Sequence, residues 1–134
     1  YLSRKSVELE ANPRAALLFH FKGLERQVIV EGRVERVAAA ESDAYHQSRP
    51  RGSQIGAWAS HQSAATDGRE ALLAQVAEVD ARFAGQDVPR PPHWGGYRVV
   101  PDRWEFWQGH ESRLHERWEL TRDGAGWTGG WLQP

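Results

Sequence analysis

Residues 27–37, QVIVEGRVERV, constrain the chain more than any other stretch. Apolar and polar residues alternate there, and Val28, Val30 and Val34 supply β-branched side chains. A period of two sends alternate side chains to opposite faces, so the segment predicts a long, half-buried strand. Residues 15–21 (AALLFHF) form an apolar run of strand length just upstream. Lys22-Gly23-Leu24 lies between the two as a hairpin turn. A chain that begins this way needs a sheet in its core.

The middle of the chain changes period. Residues 38–48 are rich in Ala and predict a helix. Pro50 interrupts it and suits the first turn of a second helix over residues 50–60. Residues 67–83 give the clearest helix, because Leu72, Leu73, Val76, Val79 and Phe83 recur at helical spacing. Asp67 is its expected cap and Gly85 its expected end. The Pro-rich residues 88–93 are too few for a domain linker. Short aromatic strands are then expected at 97–100, 104–107, 116–121 and 127–132, with a turn at Asp123-Gly124. Strands, helices and strands again, within 134 residues, predict one α+β domain with an antiparallel sheet. The number of short strands favours a barrel.

Composition excludes several classes of function. The net charge of −1 argues against a nucleic-acid-coating surface. The chain has no Cys, which removes disulfides, thiolate metal sites and cysteine nucleophiles. No apolar run is long enough to span a bilayer and no signal-peptide pattern opens the chain, so a cytoplasmic location is expected. Met is absent too, and the chain opens abruptly at Tyr1-Leu2-Ser3-Arg4-Lys5. This opening reads as that of an N-terminally incomplete piece of a longer protein.

Two stretches carry chemistry. In YHQSRPRGSQIGAWASHQS (45–63), Tyr45, Arg49 and Ser53 follow one another at intervals of four. Arg49 precedes a helix start, where unpaired backbone N–H groups favour an anion. A forked cation and two hydroxyls beside that helix start make a cradle for a phosphate. Spacing alone favours the plainer account of a polar corner with a solvated arginine, because many helix starts bind nothing. In FWQGHESRLHER (106–117), His110 and His115 stand five apart, whereas a helical zinc motif needs four, so no metal site is expected. If residues 113–115 are extended, Arg113 and His115 share a face and Leu114 turns to the core. Such a pair can grip an electron-rich or anionic ring, but spacing alone again favours the plainer account of an exposed polar strand face. Arg4-Lys5 and Gln62-Ser63 carry almost no signal alone, and the 7 Trp are more often packing than stacking platforms.

Together these stretches resemble the pyridoxine/pyridoxamine 5′-phosphate oxidase family. The matching segments are LERQ (24–27), SRPRGSQIGAW (48–58), HQS (61–63), WGGYR (94–98), EFWQG (105–109) and RLHER (113–117), in family order over nearly the whole chain. The resemblance implies a split β-barrel that binds FMN at the interface of a homodimer. It implies oxidation of pyridoxine or pyridoxamine 5′-phosphate to pyridoxal 5′-phosphate by hydride transfer to the flavin, with O2 as acceptor and hydrogen peroxide released. By position, Arg4, Lys5, Gln27, Gln62, Ser63, Trp107 and Arg117 correspond to FMN contacts. Tyr45, Arg49 and Ser53 correspond to the substrate-phosphate site, and Arg113 and His115 to the groups that hold the pyridine ring. The family has a section preceding the position of Ser3 that contributes to both phosphate sites and is absent here, so weaker ligand binding is expected. Two alternatives remain at this point: another flavin oxidase of this fold, of the phenazine-biosynthesis type, or a non-catalytic flavin- or pyridoxal-phosphate-binding protein.

Overall fold

The computed structural model describes residues 1–134, which divide into two compact units. The first holds Tyr1–Ala11 and Arg36–Tyr97, and the second Asn12–Glu35 and Arg98–Pro134.

The first unit is helical: α1 (Arg4–Ala11), α2 (Ala39–Ser48), α3 (Arg51–Ala59) and α4 (Arg69–Arg82). Its core is Ile55, Phe83 and Val88, with Trp58, Val76 and Val79 packed around them. The helical spacing read in α4 thus does put its apolar stripe on α3. Arg51 donates to the carbonyls of Phe83 and Gln86, both at 2.8 Å, and so ties the start of α3 to the chain leaving α4. Two expected helix starts differ in detail. Pro50 is the cap residue of α3 rather than part of its first turn. Asp67 does not cap α4; Gly68 does, at φ 114°, a left-handed conformation that a side chain rarely adopts. Helix α1 was not expected. Its signal is Ser3, whose Oγ accepts from the Ser6 N–H at 3.3 Å, as an N-capping serine does.

The second unit is one sheet in the order β1-β2-β3-β4-β5: β1 (Arg14–Phe21), β2 (Arg26–Arg36), β3 (Tyr97–Gln108), β4 (Glu116–Asp123) and β5 (Gly126–Leu132). Arg36 and Tyr97, at strand ends, count with the first unit. The pairs β1–β2, β3–β4 and β4–β5 are antiparallel, so the α+β class expected from the sequence holds. The sheet is open, with β1 and β5 as its edges. The two strands expected at 97–100 and 104–107 are one continuous β3, because Pro101 does not break it. On β2, Val30, Gly32 and Val34 are buried, as the period of two requires. Gly32 is needed there: a Cβ would collide with the backbone of Val100 and lie 2.8 Å from Pro101 Cα. On the edge strand β1, by contrast, Leu17, Leu18, Phe19 and Phe21 are exposed.

Candidate functional site

The first group of predicted residues lies at the corner between α2 and α3. Tyr45 is exposed on the last turn of α2, Arg49 caps α2, and Ser53 sits in the first turn of α3. Trp94 brings Tyr45 and Arg49 together. Tyr45 stacks on its ring at 6.0 Å, the Arg49 guanidinium lies over it at 5.0 Å, and His46 meets it edge-on at 5.3 Å. Gln54 fastens the corner by donating to the carbonyls of His46 and Arg49, each at 3.1 Å. Arg49 Nη1 is buried with no hydrogen-bond partner in the chain. His46 is fully buried, and both its ring nitrogens are likewise unpaired. Burial, with the nearby Arg49 and Arg90 cations, pushes the His46 pKa below its ordinary value, and Asp43 only partly opposes this. Spacing alone gives Trp94 no role. Its signal was the WGGYR segment itself.

Arg4 and Lys5 occupy the first turn of α1, which contains no acidic residue. Two cations at that end oppose the helix macrodipole, a cost that a bound anion offsets. Arg4 donates to Glu8 at 2.8 Å on the exposed surface. Gln62 and Ser63 lie in the exposed turn after α3, with Ser63 left-handed at φ 72°.

The remaining predicted residues belong to the sheet unit. Gln27 on β2 and Trp107 on β3 line a cleft of about 840 Å³. Its other walls include Phe21, Leu24, Val28, Phe106, Trp118 and Trp131. Arg26, Gln108, His110 and Glu116 line it as well, so a cleft of this size offers both aromatic faces and polar groups to a flat ligand. Arg117 on β4 pairs directly opposite Trp107. It donates through Nε and Nη2 to the two oxygens of Glu105, at 2.7 and 3.1 Å, and through Nη1 to the Gln133 carbonyl at 3.0 Å. Arg103 joins the network, donating to Glu105 and Glu31 at 2.8 Å each and to Glu119 at 2.5 Å. Arg117 foremost, and Arg103 with it, hold the Glu105 carboxyl below the usual carboxylate range despite its burial. Glu105 escaped the sequence reading because a charged residue between Trp104 and Phe106 reads as the solvent side of the strand. The structure reverses this: Glu105 is buried and Phe106 is exposed.

Arg113 and His115 do not sit on an extended segment. Residues Glu111–Arg113 form a tight turn in which Ser112 and Arg113 are left-handed, at φ 57° and 63°. β4 begins only at Glu116, so strand alternation does not apply, and Leu114 is 70% exposed rather than turned to the core. The turn is closed by the His110 N–H, which donates to His115 Nδ1 at 3.1 Å. The His115 ring packs on Trp107 at 4.7 Å, while Arg113 is exposed. No cluster of His, Cys, Asp or Glu fit to hold a metal ion is present.

The family model for pyridoxamine 5′-phosphate oxidase matches residues 1–83, and that for the pyridoxine 5′-phosphate oxidase C-terminal dimerisation region matches residues 94–134. The chain belongs to the pyridoxamine 5′-phosphate oxidase family. The pyridoxine/pyridoxamine 5′-phosphate oxidase of Rubrobacter xylanophilus is 59% identical over 134 residues, which is 100% of this chain and 62% of that protein. The Myxococcus xanthus protein of the same name is 60% identical over 132 residues, 98% of this chain and 64% of that protein. This chain therefore spans a little over three-fifths of the length of these relatives. Among solved structures, PhzG of Burkholderia lata 383, crystallised with tetrahydrophenazine-1-carboxylic acid, superposes with a TM-score of 0.90 at 36% identity over 99% of this chain and 65% of that one. A pyridoxamine 5′-phosphate oxidase-related, FMN-binding protein of Nostoc punctiforme superposes with a TM-score of 0.70 at 14% identity, over 98% of this chain and 68% of that one, a likeness of fold alone. The split-barrel class expected from the sequence agrees with both.

Proposed function

We propose that this chain is the larger part of an FMN-dependent oxidase that converts pyridoxine or pyridoxamine 5′-phosphate to pyridoxal 5′-phosphate. The observation that carries the reading is the corner of Tyr45, Arg49 and Ser53 around Trp94. There the Arg49 guanidinium, bonded to no carboxylate, shares Trp94 with the Tyr45 ring, and Ser53 lies in the first turn of α3 that follows. That set recognises a phosphate monoester.

FMN, when bound, supplies the redox chemistry, accepting a hydride from the substrate and passing electrons to O2 to give hydrogen peroxide. Gln27 and Trp107 would hold its ring in the aromatic cleft, with Arg117 beside Trp107 on the next strand. Arg4 and Lys5 at the start of α1, with Gln62 and Ser63, would serve its phosphate. His115, fixed by the His110 N–H and by Trp107, would orient the substrate pyridine together with Arg113. These two residues position the ring, and neither is assigned as an obligatory base. The family's dimerisation region over residues 94–134 and the exposed apolar edge of β1 support a homodimer. No helix is long and apolar enough to cross a membrane.

A second reading is favoured by one observation, the 0.90 TM-score to PhzG. It is an oxidase for a non-phosphorylated tricyclic substrate. The substrate that is turned over separates the two. Turnover of pyridoxamine 5′-phosphate but not of pyridoxamine supports the phosphate-directed reading. Turnover of a reduced phenazine carboxylate with none of either vitamer overturns it. FMN and phosphorylated vitamer that bind without peroxide release leave a non-catalytic binding protein.

A further inference from the structure

We propose that Glu105 is a positioning residue that holds the Arg117 guanidinium in the one orientation its cofactor contact needs. The inference rests on the FMN role proposed above for Arg117. Glu105 lies on β3 and Arg117 on β4, and the strand register places Glu105 opposite Glu119 and Trp107 opposite Arg117. Two facing carboxylates destabilise a sheet unless cations separate them. Arg103 does so, bonding both Glu105 and Glu119. That leaves the other Glu105 oxygen wholly to Arg117, through Nε at 2.7 Å.

The geometry is that of a fork on a fork. Nε and Nη2 of Arg117 grip one carboxylate, and Nη1 is tied to the Gln133 carbonyl. A guanidinium has five N–H donors, so two stay available for a ligand, and their directions are already fixed. The Glu105 side chain is 5% exposed and the Arg117 side chain 31% exposed. The carboxylate is therefore an internal strut and the guanidinium is the surface it presents. Pre-set donors spare the ligand the cost of ordering a long side chain. Glu105 itself reaches no ligand in this role.

The test is FMN affinity, read from quenching of flavin fluorescence in the full-length protein, with the ligand-free melting temperature followed alongside. Glu105→Gln keeps the size but loses the charge and one acceptor, and FMN affinity should fall on the order of tenfold. Arg117→Ala should weaken FMN at least as much, and the double variant should bind no worse than Arg117→Ala alone, because the strut acts only through the guanidinium. Glu119→Gln, which touches Arg103 but not Arg117, should lower the melting temperature and leave FMN affinity unchanged. If Glu105→Gln does not fold, Glu105→Asp keeps the charge, shortens the reach and should show the same loss. Wild-type FMN affinity in a folded Glu105 variant overturns the proposal while Arg117→Ala still loses flavin. So do additive losses in the double variant. Unchanged affinity in Arg117→Ala overturns the cofactor role of Arg117 and this proposal with it.

Discussion

Replacing Gly32 with alanine tests the sheet that carries Gln27 and Trp107. Gly32 is buried on β2, and an added Cβ would strike the Val100 carbonyl and come within 2.7 Å of Val100 C and 2.8 Å of Pro101 Cα. All three atoms belong to the backbone of β3, so no side chain can swing aside. The substitution has one favourable component: a less flexible unfolded chain, about 0.4–1 kcal/mol. Against it stands overpacking of a well-fitted interior, about 1–3 kcal/mol, and the high end applies where backbone must move. The net loss should be about 2 kcal/mol. For a chain of this length that is a fall in Tm of roughly 6–10 °C. The control is Gly56→Ala in α3, where nothing lies within 4 Å of the added Cβ. It should gain about 0.5–1 kcal/mol from helix propensity. Urea or thermal unfolding of the two variants reads both signs. Equal, small effects at the two glycines would refute the close β2–β3 approach on which the argument stands.

Arg49→Ala should raise KM for the phosphorylated substrate by an amount equivalent to roughly 1.5–3 kcal/mol with little change in kcat, the signature of uniform binding. An unchanged KM in steady-state assays would reduce Arg49 to a helix-corner residue. Arg113→Gly removes a side chain proposed to hold the substrate ring, and it also relieves a left-handed φ of 63°. Its kcat/KM should fall while stability holds or rises by roughly 1 kcal/mol, and a variant that loses stability with full activity would reverse the assignment. The buried His46 has a pKa below its ordinary value, so the unfolded state takes up the proton first and protons favour unfolding. Its contribution to stability should be intact above about pH 6.5, the ordinary imidazole value, and decline as pH falls below it. His46→Leu should flatten that part of a urea-midpoint against pH curve, and an unchanged curve would show that other groups set it.

The elements that sequence periodicity exposed are those whose own side chains decide them. β2 shows its period of two because one face is buried, and α4 shows its apolar stripe because α3 covers it. The boundaries that went astray were decided by backbone geometry. Gly68, not the better capper Asp67, starts α4, because its φ of 114° turns the chain. Helix α1 was missed for the opposite reason: its first turn carries Arg4 and Lys5, where a helix start ordinarily favours acids. The loop before β4 misled most. Nothing in ESRLH signals that Ser112 and Arg113 are left-handed, a conformation non-glycine residues rarely take, and alternation was applied to a segment that is not extended.

The candidate site residues were legible as types, but the partners that tune them were not, and the partners separate two kinds of arginine. Arg49 rests on a neutral ring, Trp94, and is bonded to no carboxylate, so its full charge stays available to a dianion such as a phosphate. Arg117 is forked onto Glu105, so most of its charge is already answered and what it offers is direction. The same contrast explains how a chain of net charge −1 can be proposed to hold two phosphorylated ligands. In the sheet unit Glu31, Glu105 and Glu119 are spent on Arg103 and Arg117. At the start of α1, as at the α2–α3 corner, cations outnumber the acids they touch: Arg4 is answered by Glu8, and Lys5 by no carboxylate. Overall charge therefore says little about which anions a chain of this kind can bind. The pairing of each guanidinium decides it, residue by residue.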